Sequence, residues 1–196
     1  MRILVKHAVT LGTFALVSAV AAACGGGGSG GAAATPPCDM ACQDGVAIRS
    51  LRDAIKVVYN DTLQGQPTGM GLNEMTPCPL GGMASVTGSA SSNADQGATN
   101  VDLTYVFTAC KYSETDTDPT QTFQMTLDGT VTESGVIAVQ PSSTTALTFH
   151  SDAMTFSGTV YYPTIPYAES ACAVQLGQDG NELSGTICDR DAGTTL

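Results

Sequence analysis

The chain of 196 residues lacks tryptophan, has only seven lysine and arginine residues against 18 aspartate and glutamate residues, and carries a formal net charge of −11. Binding to nucleic acids or to anionic membranes depends on clustered lysine and arginine, so this composition argues against both as partners. The apolar run from Ala8 to Ala22 is too short and too rich in small residues for a membrane-spanning helix, which needs ~20 strongly apolar residues.

Motifs typical of catalysis and of zinc binding are also missing. Outside the glycine-rich segment near residue 29, the sequence contains no G-x-S-x-G, and it contains no H-E-x-x-H or paired C-x-x-C. His150 is the only histidine after the first 23 residues. Ser151 and Asp152 follow it directly, which favours a polar turn over a catalytic triad, because triad members must meet in space. We therefore expect no catalytic residue and no cofactor.

Acidic residues cluster in one predicted loop, at Glu114, Asp116 and Asp118. Calcium takes several oxygen ligands, so these carboxylates are weak candidates for a calcium site, although their spacing differs from that of an EF-hand. A solvated acidic loop is the simpler interpretation.

The first 23 residues have the pattern of a secretory signal peptide. A basic start precedes the apolar run, which ends in Ala21-Ala22-Ala23-Cys24. Two cleavage sites fit this stretch, a plain A-x-A site and a site directly before Cys24. The second resembles the lipobox of bacterial lipoprotein precursors, and the resemblance implies that Cys24 is the first mature residue and carries a lipid anchor. Gly25, in place of aspartate, then implies the outer membrane of a Gram-negative bacterium, with the domain facing the periplasm or the surface.

Cysteine number supports an anchor of this kind. The chain has seven cysteines, and lipidation of Cys24 leaves six for disulfides. Two predicted pairs follow from topology, Cys78 with Cys110 and Cys172 with Cys188, and elimination leaves Cys38 with Cys42. The Cys38–Cys42 pair requires a non-helical stretch. The Cys172–Cys188 pair requires a bulge or a frayed strand end, because an Asp179-Gly180 turn would place these two cysteines on opposite faces of the sheet.

Residues 24–37 form a glycine-rich tether that we expect to be disordered, and residues 38–196 form the single predicted domain. The domain opens with one helical pattern, over residues 44–63, with Asp44 as its N-cap. Its apolar residues form a single stripe. The basic residues that fall largely off this stripe are Arg49, Arg52 and Lys56.

From residue 84 to residue 188, apolar and polar residues alternate, which predicts an antiparallel meander. Turns are predicted at Glu133-Ser134-Gly135, Ser151-Asp152 and Asp179-Gly180, and residues 65–82 are interpreted as loop. A repeated pattern places Gly129, Gly158 and Gly185 on the apolar face. We expect these glycines to permit sheet curvature and the close approach of the helix.

These patterns predict a mainly β (α+β) fold, a curved, half-barrel-like antiparallel sheet of about six to eight strands with the N-terminal amphipathic helix in its concavity. A β-sandwich is the alternative. The corresponding function is an envelope lipoprotein that binds or carries a hydrophobic ligand in that concavity. The alternatives are a structural or adhesive surface module, whose helix fills the concavity, and a hydrolase.

Overall fold

The structure, a computed structural model, describes residues 38–64, 71–93, 97–138, 144–161 and 164–196. The predicted signal peptide, Cys24 and the tether lie outside these residues. One α-helix, α1 (Met40–Thr62), precedes the strands, and a short 3-10 turn (Pro119–Gln121) follows the third of them. The strands are β1 (Leu72–Pro77), β2 (Met83–Asn93), β3 (Ala98–Glu114), β4 (Phe123–Ala138), β5 (Ala146–Val160), β6 (Ile165–Asp179), β7 (Glu182–Ile187) and β8 (Arg190–Thr195).

The eight strands form one open antiparallel sheet in which every strand pairs with its neighbours in the sequence. This confirms the predicted fold class, mainly β with one helix packed on a curved sheet. The sheet is longer than expected at both ends. The interpretation of residues 65–82 as loop is wrong over Leu72–Pro77, which is edge strand β1, and β8 extends the sheet beyond residue 188.

The helix begins at Met40, earlier than predicted, and it has a different N-cap. The Asp39 carboxylate accepts a hydrogen bond of 3.0 Å from the N–H of Cys42 in the first turn. Asp44 is therefore not the cap, and it lies inside the helix with only 1% of its surface exposed. The Cys38–Cys42 disulfide joins the residue before the cap to the first turn, with Cα atoms 5.2 Å apart. The prediction that this pair requires a non-helical stretch is therefore wrong from Met40 onward: only Cys38 and Asp39 are non-helical, and the bridge forms with Cys42 inside the helix.

The apolar stripe of α1 packs on the concave face of the sheet. Ile48, Leu51 and Ile55 are almost completely buried, and they share one hydrophobic core with inward-facing residues of the sheet. The helix contacts both edge strands, β1 and β8, so the sheet curves around it. The helix lies close to β8 at Gly45. A Cβ atom added to this glycine would lie 3.0 Å from the carbonyl oxygen of Gly193.

A row of β-bulges crosses the sheet beside four residues that pair across neighbouring strands, namely Phe107, Gly129, Met154 and Cys172. Each bulge adds a residue to one strand and increases its bend and twist. The predicted turn at Ser151-Asp152 is wrong, because β5 runs without interruption through this segment and its register shifts there. A bulge interrupts the alternation of apolar and polar residues in the same way as a turn, so the sequence pattern alone does not distinguish the two.

The predicted turn at Glu133-Ser134-Gly135 is wrong as well, because this segment lies inside β4. Glu133 faces the core, is 1% exposed, and accepts a hydrogen bond of 2.8 Å from the hydroxyl group of Tyr105 on β3. Burial raises the pKa of both side chains. This partner allows a carboxyl group to occupy an inward-facing strand position.

The repeated glycines permit close packing between strands rather than the approach of the helix. A Cβ atom on Gly158 would overlap the carbonyl oxygen of Gln124 on β4, and one on Gly185 would overlap that of Gln175 on β6. The expected role in curvature agrees with these contacts. The prediction that these glycines allow the helix to approach the sheet is wrong. The glycine at the close contact between helix and sheet is Gly45, which lies on the helix itself.

The six cysteines of the domain form the three predicted pairs. Cys172 and Cys188 meet because Cys188 occupies the β7–β8 turn with a φ of 50°, while Ala171 forms a bulge in β6 with a φ of 53°. The preceding β6–β7 turn consists of Gly180 and Asn181, not Asp179 and Gly180, since Asp179 pairs with Glu182.

Three disulfides are typical of a protein that folds in an oxidising compartment outside the cytoplasm. In the described part of the chain, no helix combines the length and the apolar character needed to cross a membrane.

Candidate functional site

A polar cleft of about 500 Å³ lies along the polar face of α1, and its volume is within the range of small-molecule sites. The helix forms one wall. The opposite walls come from the end of β3, the β6–β7 turn and the residue after β8. The cleft is lined by Arg49, Arg52, Asp53, Lys56, Val57, Asn60, Tyr112, Glu114, Gln178, Asn181 and Leu196.

Arg49 lies at the buried side of this cleft, with 8% of its surface exposed. Its Nη1 donates a hydrogen bond of 2.9 Å to the carbonyl oxygen of Thr195 on β8. The guanidinium group lies between two carboxyl groups, 3.7 Å from Asp53 and 3.9 Å from Glu114. Its Nε and the Asp53 Oδ2 are buried, and neither has a hydrogen-bond partner among the described residues.

Asp53 and Glu114 form a carboxyl pair that sequence reasoning does not bring together. The pKa of Asp53 is raised to about 6, first by burial and then by the hydrogen bond to Glu114 and its negative charge, whereas Arg49 and Arg52 oppose the shift. A carboxyl group with this pKa takes up or releases a proton close to neutral pH. In the cleft, it can therefore either accept or donate a hydrogen bond to a ligand.

Arg52 is held in place from two sides. Its Nε donates a hydrogen bond of 2.6 Å to the Gln178 side-chain oxygen, and the Gln178 amide nitrogen donates one of 2.7 Å to the Gly180 carbonyl oxygen. The guanidinium carbon lies 6.0 Å from the centre of the Phe149 ring, within the range of a cation–π contact. Among the described residues, no acceptor bonds to its two terminal nitrogens.

Positive charge is concentrated in this cleft. Of the seven lysine and arginine residues in the sequence, Arg2 and Lys6 lie within the first 23 residues, and three of the remaining five, Arg49, Arg52 and Lys56, line the cleft. All 18 acidic residues lie after residue 23. Asp53 and Glu114 also line the cleft, so its side chains sum to a charge of +1 with both carboxyl groups ionised, in an otherwise strongly acidic domain.

The structure separates the three calcium candidates. Glu114 lines the cleft, whereas the carboxylate of Asp116 accepts hydrogen bonds from the Asp118 N–H at 2.9 Å and the Thr117 hydroxyl at 3.1 Å, which lowers the pKa of Asp116. Asp116 thus organises a turn. No group of three or more histidine, cysteine, aspartate or glutamate residues within the described ranges is arranged to hold a metal ion.

His150 and its neighbours do not form a catalytic site. His150 is exposed on the outer face, as expected, and its Nε2 lies 3.3 Å from Asp152 Oδ1. Ser151 is buried, and its hydroxyl oxygen accepts a hydrogen bond from the Ala153 N–H. The serine and the histidine therefore lie on opposite faces of β5.

A second polar cluster joins the start of α1 to the sheet. Arg190 on β8 donates hydrogen bonds to the carboxylates of Asp44 and Glu169, and the Tyr167 hydroxyl on β6 donates one of 2.7 Å to Asp44. The side chains of this cluster hydrogen-bond to one another, so we interpret its role as structural.

Sequence reasoning identified three residues of the cleft only as polar positions of a helix, Arg49, Arg52 and Lys56. On the opposite walls it noticed Glu114 only as part of an acidic cluster, and it missed Tyr112, Gln178, Asn181 and Leu196. One signal was available in the sequence, since most basic residues of an acidic domain fall within two turns of a single helix.

The comparisons with known proteins find no relative: no family model, no curated protein and no solved structure matches the chain.

Proposed function

We propose that the protein is a lipid-anchored protein of the bacterial envelope whose domain binds a small polar ligand in the cleft beside α1. The single observation that carries the binding role is the concentration of three basic residues in a cleft of about 500 Å³ within an acidic domain. The lipobox-like stretch at Cys24 supports the anchor, and the three disulfides support a location outside the cytoplasm.

Transport of a hydrophobic ligand, the role expected for a half-barrel with an apolar interior, has less support. This role requires space between the helix and the concave face, and the apolar stripe of α1 occupies that face. A pocket between the helix and the β1–β2 turn, lined by residues such as Val58 and Cys78, has a volume of only about 10 Å³. That is about the space of a single water molecule.

A structural or adhesive module is the second candidate function. Met75, Ser85 and Val106 pair across β1, β2 and β3, and Met75 and Val106 are exposed. Met83 is exposed two residues before Ser85 and therefore lies on the same face. Exposed apolar side chains that adjoin one another are typical of interaction surfaces.

The anchor is tested by Cys24→Ser in the full precursor. We expect the variant to leave the membrane fraction and appear in the soluble fraction, while the unaltered protein stays with the membrane. Retention of the variant in the membrane fraction would contradict the anchor.

The binding role is tested by native mass spectrometry of the full-length product extracted from its envelope. We expect an additional mass of a small molecule, which is lost in Lys56→Glu but kept in Lys111→Glu, a matched charge change outside the cleft. A bound mass that survives Lys56→Glu, or no bound mass in the unaltered protein, would contradict binding in the cleft and favour the adhesive module.

A further inference from the structure

We propose that the ligand of the cleft carries an oxyanion, either a carboxylate or a phosphate group, which Arg52 and Lys56 hold together. This inference rests on the proposed binding function and adds the chemical class of the ligand. It follows from how the charges of the cleft are paired, from the fixed position of Arg52 and from the spacing of the two cations along α1.

The charges of the cleft are unevenly paired. Arg49 lies within 4 Å of the carboxyl groups of both Asp53 and Glu114, so its positive charge is fully compensated. Arg52 and Lys56, by contrast, have no carboxylate within ion-pair distance among the described residues. Asp53 and Glu133 also interact electrostatically with Arg52, but neither lies within ion-pair distance of it. Two cations at the cleft thus have no carboxylate partner at ion-pair distance, and the three basic and two acidic side chains of the cleft sum to a charge of +1 when both carboxyl groups are ionised, which favours an anionic ligand.

Arg52 is preorganised for an oxyanion. Its Nε is occupied by Gln178, and the guanidinium carbon lies 6.0 Å from the centre of the Phe149 ring, so these two contacts restrict the side chain. The edge formed by the two terminal nitrogens remains for a ligand. Two parallel N–H donors of this kind match two oxygens of a carboxylate or phosphate. A side chain that is fixed before binding loses little entropy when the ligand arrives.

Lys56 follows Arg52 by four positions, which places both side chains on the same face of α1. It is exposed, it lines the cleft, and its ammonium group has no hydrogen-bond partner among the described residues. The flexible lysine can therefore move towards an anion already bound to Arg52. At the rim, the amide groups of Asn60 and Asn181 and the ring of Tyr112 suit the uncharged part of such a ligand.

The test is isothermal titration calorimetry of the full-length product at constant ionic strength, with inorganic phosphate, citrate and the neutral sugar sucrose as separate probes. We expect phosphate, citrate or both to bind, and sucrose not to bind. Lys56→Gln should weaken binding of the anion about tenfold, the loss typical of one hydrogen bond to a charged group. Arg52→Lys keeps the charge but removes the paired donors, and it should weaken binding to a similar extent.

Lys111→Gln is the matched control and should leave the affinity unchanged. Binding of phosphate alone identifies a phosphate ligand, and binding of citrate alone identifies a carboxylate ligand. Absence of binding by both anions, or anion binding that Lys56→Gln leaves intact, overturns the oxyanion assignment. Sucrose binding that Arg52→Lys abolishes would also overturn it but leave the cleft as a binding site. The binding function itself fails if the native mass spectrum of the unaltered protein shows no bound small molecule, or if the bound mass survives Lys56→Glu.

Discussion

Arg190 on β8 donates two hydrogen bonds of 2.8 Å to the carboxylate of Asp44 in α1, across 146 residues of sequence. The arginine is partly exposed, whereas Asp44 is almost completely buried. The pair therefore fixes the start of the helix against the far edge of the sheet. Because the carboxylate has left water, it depends on this partner for compensation of its charge.

Arg190→Gln should lower the free energy of unfolding by about 3 kcal/mol, since it leaves a buried carboxylate without its counterion. Urea unfolding followed by circular dichroism measures the change. Lys111→Gln removes one positive charge without breaking an ion pair in the described structure and serves as the control. Equal effects of the two substitutions would show that the loss comes from net charge, not from the contact with Asp44.

Gly158→Ala should destabilise the protein by about 1–3 kcal/mol, because the new Cβ atom would overlap the Gln124 carbonyl oxygen of the neighbouring strand. Gly177→Ala is the matched control, since a Cβ atom there has no neighbour within 4 Å. The control should be neutral or slightly stabilising. Denaturant unfolding of both variants decides between crowding of the backbone and a general effect of alanine in a strand.

The three disulfides should contribute unequally. On the chain-entropy argument, loss of Cys78–Cys110, whose cysteines are 32 positions apart, costs about 3–4 kcal/mol, whereas loss of Cys38–Cys42, only four apart, costs about 2 kcal/mol. Paired cysteine-to-alanine variants and thermal unfolding measure the order. Peptide mapping under non-reducing conditions checks the pairing itself. A peptide that joins Cys38 or Cys42 to a cysteine of the sheet would contradict it.

Asp53 should make the domain more stable as the pH falls. Its pKa is about 6 in the folded protein against an ordinary value of 3.8. The folded state therefore binds the proton more tightly, and this contribution is present below pH 4 and lost as the pH rises through 6. Relative to Asp53→Asn, the unaltered protein should gain roughly 2–3 kcal/mol of unfolding free energy between pH 8 and pH 4.

The measurement is urea unfolding at several pH values, with Asp102→Asn on the exposed face of β3 as the control for loss of one negative charge. A difference between the unaltered protein and Asp53→Asn that stays constant across this range would contradict the prediction.

Local patterns were sufficient for the outline of the fold. Alternation of apolar and polar residues predicted the antiparallel meander, and the apolar stripe predicted the helix on its concave face. These predictions succeeded because burial of one face depends on the period of the sequence alone. Two of the errors arose where a distant partner changed the role of a polar residue. Asp44 is buried because of Arg190, and Glu133 is buried because of Tyr105.

Local sequence patterns could not predict the cleft for the same reason, since its lining residues come from distant parts of the chain. Arg49, Arg52 and Lys56 have the spacing of an ordinary solvated helix face, and nothing within that segment indicates an opposite wall. Glu114 was noticed, but as a member of an acidic loop. Only the curvature of the sheet brings it to Asp53 and brings the β6–β7 turn to Arg52.

The order of strands in the sheet also constrains how the chain acquires its structure. Every strand pairs with its sequence neighbour, so successive hairpins can form in order with short loops to close. The helix, which comes first, obtains its contacts with Arg190 and Thr195 only when β8 is in place. A partly synthesised chain therefore exposes the apolar stripe of α1. Among the described elements α1 emerges first, so it needs protection against aggregation for longest.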